Sequence, residues 1–272
     1  MISTRVGQRR FGFSVGRLKV APSLLRGVVG LIAFALLWEV VARFVVANPL
    51  FLPSLGQVAI RGEELWISGE LGTHIWVSFQ EFAWGFASSA VIGVLAGICL
   101  AEWRGLREFV DPIISLLYAT PLVALGPLFI LWMGIGLFSK VAIIFLVAVF
   151  PIIINTVAGL TTTDPTLIDV ARSLGGTGAQ IYTKVRLPSA LPFIIAGLRL
   201  SVARALVGVV VAELFGARAG LGFMIVNYAQ SFDTAAVFLG VIILAVAGVA
   251  SVELLKFLEV RLAPWRFEER DR

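Results

Sequence analysis

The sequence predicts an all-α integral membrane protein with six transmembrane helices, and three observations predict it. Of 272 residues, 59% are hydrophobic and only 14% charged, where a soluble domain carries roughly 25% charged residues; the mean hydropathy is +0.97. The apolar residues gather into stretches of about the length, ~20 residues, that a helix needs to cross the hydrocarbon. The cations fall unequally on the segments between those stretches, as orientation in a bilayer requires.

The elements follow in order. Residues 1–23 form a tail made basic by Arg5, Arg9, Arg10, Arg17 and Lys19, with Arg26 just beyond. It lacks a small-residue cleavage site after a short apolar core, so it reads as a cytoplasmic anchor and not as a removed signal peptide. The rest, 24–272, is one transmembrane domain with spans at about 24–47, 79–101, 113–133, 141–163, 193–214 and 234–252. Pro121 and Pro127 lie inside the third span and predict a kink or break there. The loop 48–73 is too short for a domain and has room for a short helix between Ser54 and Ser68. Gly93-x-x-x-Gly97 in the second span allows close helix approach. With the N-terminus inside, 16 of the 22 Lys and Arg fall on inner segments. The outer segments hold three, Arg61, Lys140 and Arg218, and three more, Arg43, Arg199 and Arg204, lie within spans. Both termini and the stretch 164–192 are therefore expected in the cytoplasm.

That stretch interrupts the oil with glycine and charge, and it reads as two short helices. Asp164 caps the first and Pro165 suits its first position. Leu167, Val170, Ala171 and Leu174 lay an apolar stripe along one face. Gly175 and Gly176 end it, and Thr177-x-x-Gln180 matches a capping box for the second helix. Leu187-Pro188 is expected to stop that one, because the residue before proline is pushed out of helical space. A helix of about ten residues is marginal alone. It must lie against something: the protein's own inner surface, the headgroups, or a partner.

The stretch resembles the EAA motif of ATP-binding-cassette importer permeases: Glu-Ala-Ala, three residues, Gly, nine residues, Ile, one residue, Leu-Pro. Here Asp169, Val170, Ala171, Gly175, Val185, Leu187 and Pro188 keep every spacing, with Asp for Glu, Val for Ala and Val for Ile. "LWEVVARF", "LFLPS", "ILWMGIGLFSK", "FPIIINTVAGL" and "GLRLSVARALVGVVVAELFGARAGLG" are similar to the nitrate/sulfonate/taurine branch. The resemblance implies a type I importer permease fold in a bacterial cytoplasmic (inner) membrane. It implies a second permease copy, two cytoplasmic ATPase subunits and an external solute-binding protein as partners. Leu167, Asp169, Val170, Ala171, Arg172, Leu174, Gly175, Leu187 and Pro188 would then form the surface that couples to the ATPase. The expected solute is a small anion such as an alkanesulfonate, taurine or nitrate, although the branch also handles pyrimidine-like vitamin precursors. No Gly-x-x-x-x-Gly-Lys-[Ser/Thr] is present, so this chain is expected to bind no cofactor and hydrolyse nothing. ATP and Mg belong to the partner ATPase.

Ionisable groups in a span need a reason. Glu39 and Arg43, four apart in the acid-first order, are placed to pair. Arg199 lies one turn into its span and can snorkel inward. Arg204 reads either as a cation facing the pathway or as one with an interhelical partner. Glu213 either lines the pathway or holds the outer Gly216-to-Gly222 loop. Asn155, after Pro151, reads as helix-to-helix glue or as pathway lining. With Pro121, these last three are the candidate pathway residues. Cys99 reads as a packing thiol, and the single His74 has no second His or Cys to share a metal. Neither His-Glu-x-x-His nor Gly-x-Ser-x-Gly occurs, which argues against an intramembrane hydrolase. A self-sufficient secondary transporter or channel is the alternative. It would show related halves or an ion-coordinating cluster at the midplane, and the sequence shows neither. Nothing points to nucleic acid.

Overall fold

The computed structural model describes residues 22–262, and every regular element among them is helical. The basic tail up to residue 21 and the residues after 262 lie outside the described residues. Helix α1 (Pro22–Val40) passes into a wide final turn, Val41–Val46, that closes with Ala47 in the left-handed conformation. Helix α2 (Leu55–Ile67) fills the outer loop. Its capping box is complete: the Gln57 amide donates to Ser54 Oγ at 3.2 Å and the Ser54 amide to Gln57 Oε1 at 2.9 Å. Helix α3 (Glu70–Glu102) is followed by α4 (Arg104–Ala119), α5 (Gly126–Met133) and α6 (Leu137–Thr161). Then come the short α7 (Pro165–Ser173) and α8 (Gly178–Ile181), the long α9 (Leu187–Leu214), the outer α10 (Leu221–Gln230) and α11 (Thr234–Leu262). Five helices are long and apolar enough to cross a membrane, and six spans result if the broken α4–α5 pair counts as one. That pair bends by 79° at Pro121 and a tight turn over Leu122–Leu125, where the sequence placed its break.

Four expectations need correction. Leu187-Pro188 does not stop a helix: the chain runs helically from Gly178 to Leu214. A wide turn at Tyr182–Arg186, in which the Leu187 amide reaches back to the Tyr182 carbonyl, gives the proline ring room that a regular turn denies it. Helix α3 starts nine residues before the expected 79, because the polar groups of Glu70 and His74 find partners across the outer end of the bundle. Helix α11 runs ten residues beyond 252, its added turns carrying Glu253 paired with Lys256 and Glu259 paired with Arg199. Lys140 is not a loop residue. It sits in the first turns of α6, only 7% exposed, with its ammonium 2.5 Å from buried Glu81.

The core is a three-helix stack of α3, α6 and α9. In the most apolar part of α6, 61% of the residues are buried, against 6% for α1 and 11% for α11, so α6 is the axis and the other two lie at the periphery of the described chain. Helices come this close only over small residues. Gly85, Ser89, Gly93 and Gly97 make a four-residue period on α3 and are all buried, so Gly93-x-x-x-Gly97 is the end of a longer stripe. A Cβ at Gly85 would lie 2.4 Å from Ile144, and one at Gly97 2.5 Å from Thr156. Carbonyls of α6 near Pro151 gain outside donors: Ser89 Oγ to Phe145 at 3.2 Å and Ser201 Oγ to Ala148 at 2.6 Å. These bonds tie α3 and α9 to α6 along its buried length.

Candidate functional site

Helix α7 is assembled by purely local chemistry. Asp164 Oδ1 accepts the Thr166 amide at 2.8 Å, and Pro165 fills the first position. At the other end the Gly175 amide donates to Arg172 and the Gly176 amide to Ala171, each at 2.9 Å. Gly175 has φ +78°, in the left-handed region that favours glycine, and a Cβ at Gly176 would stand 2.7 Å from the Ala171 carbonyl. The Thr177–Gln180 capping box is closed by the Gln180 amide on Thr177 Oγ1 at 3.3 Å and the Thr177 amide on Gln180 Oε1 at 2.9 Å. No residue of α7 is buried. Leu167, Val170 and Leu174 are 51%, 53% and 83% exposed, with Ala171 half-buried beside them. Asp169 and Arg172 are exposed off that stripe, 3.5 Å apart.

The stripe is therefore held out, and the segment beneath it is fixed. Arg186, in the wide turn after α8, donates from Nη1 to the Glu102 carboxylate at the end of α3 and from Nη2 to the Leu160 carbonyl of α6 at 3.3 Å. Its guanidinium also covers the Tyr182 ring, 5.6 Å from the centroid. One side chain thus joins the ends of α3 and α6 to the wide turn between α8 and α9. Leu187 and Pro188 are half-buried in the continuous helix that follows. The sequence reading missed Arg186, since its partner is 84 residues away.

The four candidate pathway residues separate. Pro121 and Arg204 line one cavity of about 280 Å³, with Tyr118, Leu122, Phe150 and Val207 among its other walls. The Arg204 guanidinium lies 4.3 Å from the centroid of the Tyr118 ring and has no carboxylate partner among the described residues. It projects from the exposed face of α9 that also carries Leu200 and Val207. Asn155 is elsewhere: its amide donates to the Pro151 carbonyl of its own helix at 2.8 Å, and its Cβ abuts Gly197.

Glu213 is buried at the outer end and holds the Gly216-to-Gly222 loop. It accepts from Ser78 Oγ and from the Gly222 amide, both at 2.5 Å, and from the Phe223 amide at 3.3 Å. Ser78 Oγ takes the Leu221 amide at 2.7 Å, and His74 Nδ1 takes the Gly220 amide at 3.0 Å. Three α3 and α9 side chains thereby satisfy the orphan amides that open α10. The other ring nitrogen of His74, Nε2, lies 3.4 Å from the Glu70 carboxylate. Farther out, Arg61 of α2 donates to Asp233 and Glu64, both at 2.7 Å, and Tyr228 donates to Glu70 at 2.8 Å. Burial first, then that hydrogen bond to Glu70, raises the Tyr228 phenol above its ordinary pKa, so it remains a donor. Glu81, inside an expected span, was a legible signal that a buried partner existed; Lys140 is that partner.

Comparison with known proteins agrees with this architecture. The family described as binding-protein-dependent transport system inner membrane component matches residues 89–264. The aliphatic sulfonates transport permease SsuC of Bacillus subtilis is 36% identical, covering 97% of this chain and 92% of that one. The taurine transport system permease TauC of Escherichia coli is 33% identical over 93% and 95%. The formylaminopyrimidine transport permease ThiX of Halalkalibacterium halodurans is 33% identical over 85% and 91%. Among solved structures, a chain of the inward-facing MetNI methionine ABC transporter superposes with a TM-score of 0.57 at 22% identity, covering 71% of this chain and 94% of that one. A chain of an amino acid ABC transporter gives 0.56 at 20% identity, over 75% and 96%. With five or six spans around an α3–α6–α9 core, the type I ABC importer permease fold, and relatives matched over nearly their whole length, the chain belongs to the family of binding-protein-dependent transport system inner membrane components.

Proposed function

We propose that the chain forms, with a second copy of itself, the membrane pathway of an ATP-driven importer for a small anion of the sulfonate, taurine or nitrate kind. An external solute-binding protein delivers the solute, and two cytoplasmic ATPase subunits bind ATP and Mg. The cation bias puts α7 on the cytoplasmic side. One observation carries the reading: α7 is capped at both ends and leaves Leu167, Val170 and Leu174 exposed among the described residues, while Arg186 ties the wide turn that follows α8 to α3 and α6. A short helix so exposed gains its stability from an outside surface, and a cleft in the ATPase supplies one. Closure of that cleft then moves α7, and the Arg186 clasp passes the movement to α3, α6 and α9. The pathway runs along the open face of α9, where Arg204 meets a passing anion. An arginine at mid-span costs roughly 2.5–3.5 kcal/mol against lipid, so a face carrying one is better covered by a second copy and water.

The test is to purify Gly175→Val and Asp169→Ala with the ATPase and to measure hydrolysis with and without loaded binding protein. A β-branched residue at φ +78° costs on the order of 1 kcal/mol or more and tilts α7, so stimulation should fall several-fold in Gly175→Val. Asp169→Ala removes a charge that no fold contact needs beyond exposed Arg172, so it should lower stimulation without lowering stability. Full stimulation and transport in both variants would leave α7 as an interfacial anchor and end the proposal.

A further inference from the structure

We propose that the Tyr118–Arg204 cavity is a solute-binding site within the membrane domain, and that it takes a short, unsubstituted aliphatic sulfonate. The inference rests on the reading of the open α9 face as pathway and adds to it a site, a ligand chemistry and a second residue. Tyr118 is the next-to-last residue of α4, two before the cap Thr120 that precedes Pro121, and its ring meets Arg204 of α9 beside the bend. The ring supports the Arg204 guanidinium from one side at 4.3 Å. A guanidinium stacked on an aromatic face keeps its in-plane N–H groups free, and that fork fits two oxygens of one oxyanion.

The remaining chemistry of the cavity selects among anions. The Thr120 hydroxyl donates to the Leu116 carbonyl at 2.8 Å, which leaves Arg204 and the Tyr118 phenol as the lining side-chain donors without an acceptor among the described residues. The other walls, Pro121, Leu122, Val147, Phe150 and Val207 among them, are apolar. No carboxylate lines the cavity, so the ammonium of an aminosulfonate would enter without a counter-charge. Nitrate has no tail to set against those walls. One cation matches one negative charge, and about 280 Å³ lies below the range of drug-sized pockets, which suits a headgroup with a few methylenes.

The experiment uses the permease–ATPase complex in lipid nanodiscs, without binding protein or nucleotide, and radiolabelled butanesulfonate as probe. Affinity should rise from methanesulfonate to butanesulfonate by about fourfold per methylene buried, and taurine and nitrate should bind at least tenfold more weakly than butanesulfonate. Arg204→Gln should weaken butanesulfonate at least tenfold and Arg204→Lys less. Tyr118→Leu should weaken it several-fold, whereas Tyr118→Phe, which keeps the ring face, should cost under threefold. Nitrate binding as tightly as butanesulfonate, or Arg204→Gln binding like wild type, overturns the site. If Arg204→Gln binds normally yet loses transport, the pathway reading stands and this inference falls; if it also transports normally, Arg204 leaves the pathway too. Should Arg204→Gln fail to assemble because a carboxylate of the second copy needs it, Tyr118→Leu decides: unchanged butanesulfonate binding there overturns the proposal.

Discussion

At the scale of single residues, the outer end of the bundle is held by charges that no single stretch of sequence pairs. Glu81 and Lys140 are 2% and 7% exposed and meet at 2.5 Å. Taking one partner from a buried ion pair leaves a bare charge and costs about 3–5 kcal/mol, whereas replacing both by apolar residues of similar volume is often neutral. Lys140→Met should therefore destabilise the protein strongly, and Glu81→Leu/Lys140→Met should recover most of the loss in thermal unfolding of the purified protein. A double variant no better than the single one would show that the pair does more than satisfy itself. Gly222 is a second such position. A Cβ there would stand 2.9 Å from the Cα and carbonyl oxygen of Val210 and 3.0 Å from Glu213 Oε2, and backbone cannot step aside as a side chain can. Gly222→Ala should cost about 1–3 kcal/mol and loosen the start of α10, read as a lower unfolding midpoint; an unchanged midpoint would mean the loop has slack.

At the scale of elements, what was legible in the sequence was whatever is set locally. Asp164, Pro165 and Gly175 mark α7 because caps and left-handed stops act within four residues, and Ser54 with Gln57 marks α2 for the same reason. Span positions followed from runs of apolar residues. What was not legible depends on residues far apart in sequence. Arg186 on Glu102 and Arg199 on Glu259 are 84 and 60 residues apart, and α10 hides in a loop whose helix start is satisfied by His74, Ser78 and Glu213 from elsewhere. The Leu187-Pro188 reading failed on a competing local device: the wide turn at Tyr182–Arg186 accommodates the proline and keeps the helix going. Pro188→Ala removes the ring that favours the wide turn, so the turn should tighten and rotate Arg186 away from Glu102. The expected outcome is ATPase stimulation lowered several-fold with the unfolding midpoint unchanged. Wild-type stimulation would show that the wide turn is set by something other than the proline.

At the scale of the whole molecule, sidedness hangs on the broken pair α4–α5. If the pair is one span, the bundle crosses six times; if the 79° bend makes α5 a re-entrant loop, it crosses five times and everything after α5 changes sides. Two glycines separate these cases. Gly105 is the second residue of α4, just past the junction with α3, and Gly136 lies between α5 and α6; both are exposed, and a Cβ at either meets nothing within 4 Å, so cysteine fits at each without strain on its neighbours. Lys140 is unsuitable as a reporter because it is buried against Glu81, but Arg218 and Thr177 are exposed. In a Cys99→Ala background, a membrane-impermeant maleimide added to intact cells should label Gly136→Cys and Arg218→Cys, and should reach Gly105→Cys and Thr177→Cys only after lysis. This follows from the placement of 16 of 22 cations on one side of a six-span chain. It also puts α7 where an ATPase can reach it. Labelling of Gly105→Cys and Gly136→Cys from the same side would make α5 re-entrant. Labelling of Thr177→Cys but not Arg218→Cys in intact cells would turn the later half of the bundle over, leaving α7 outside and the coupling proposal without a partner to act through.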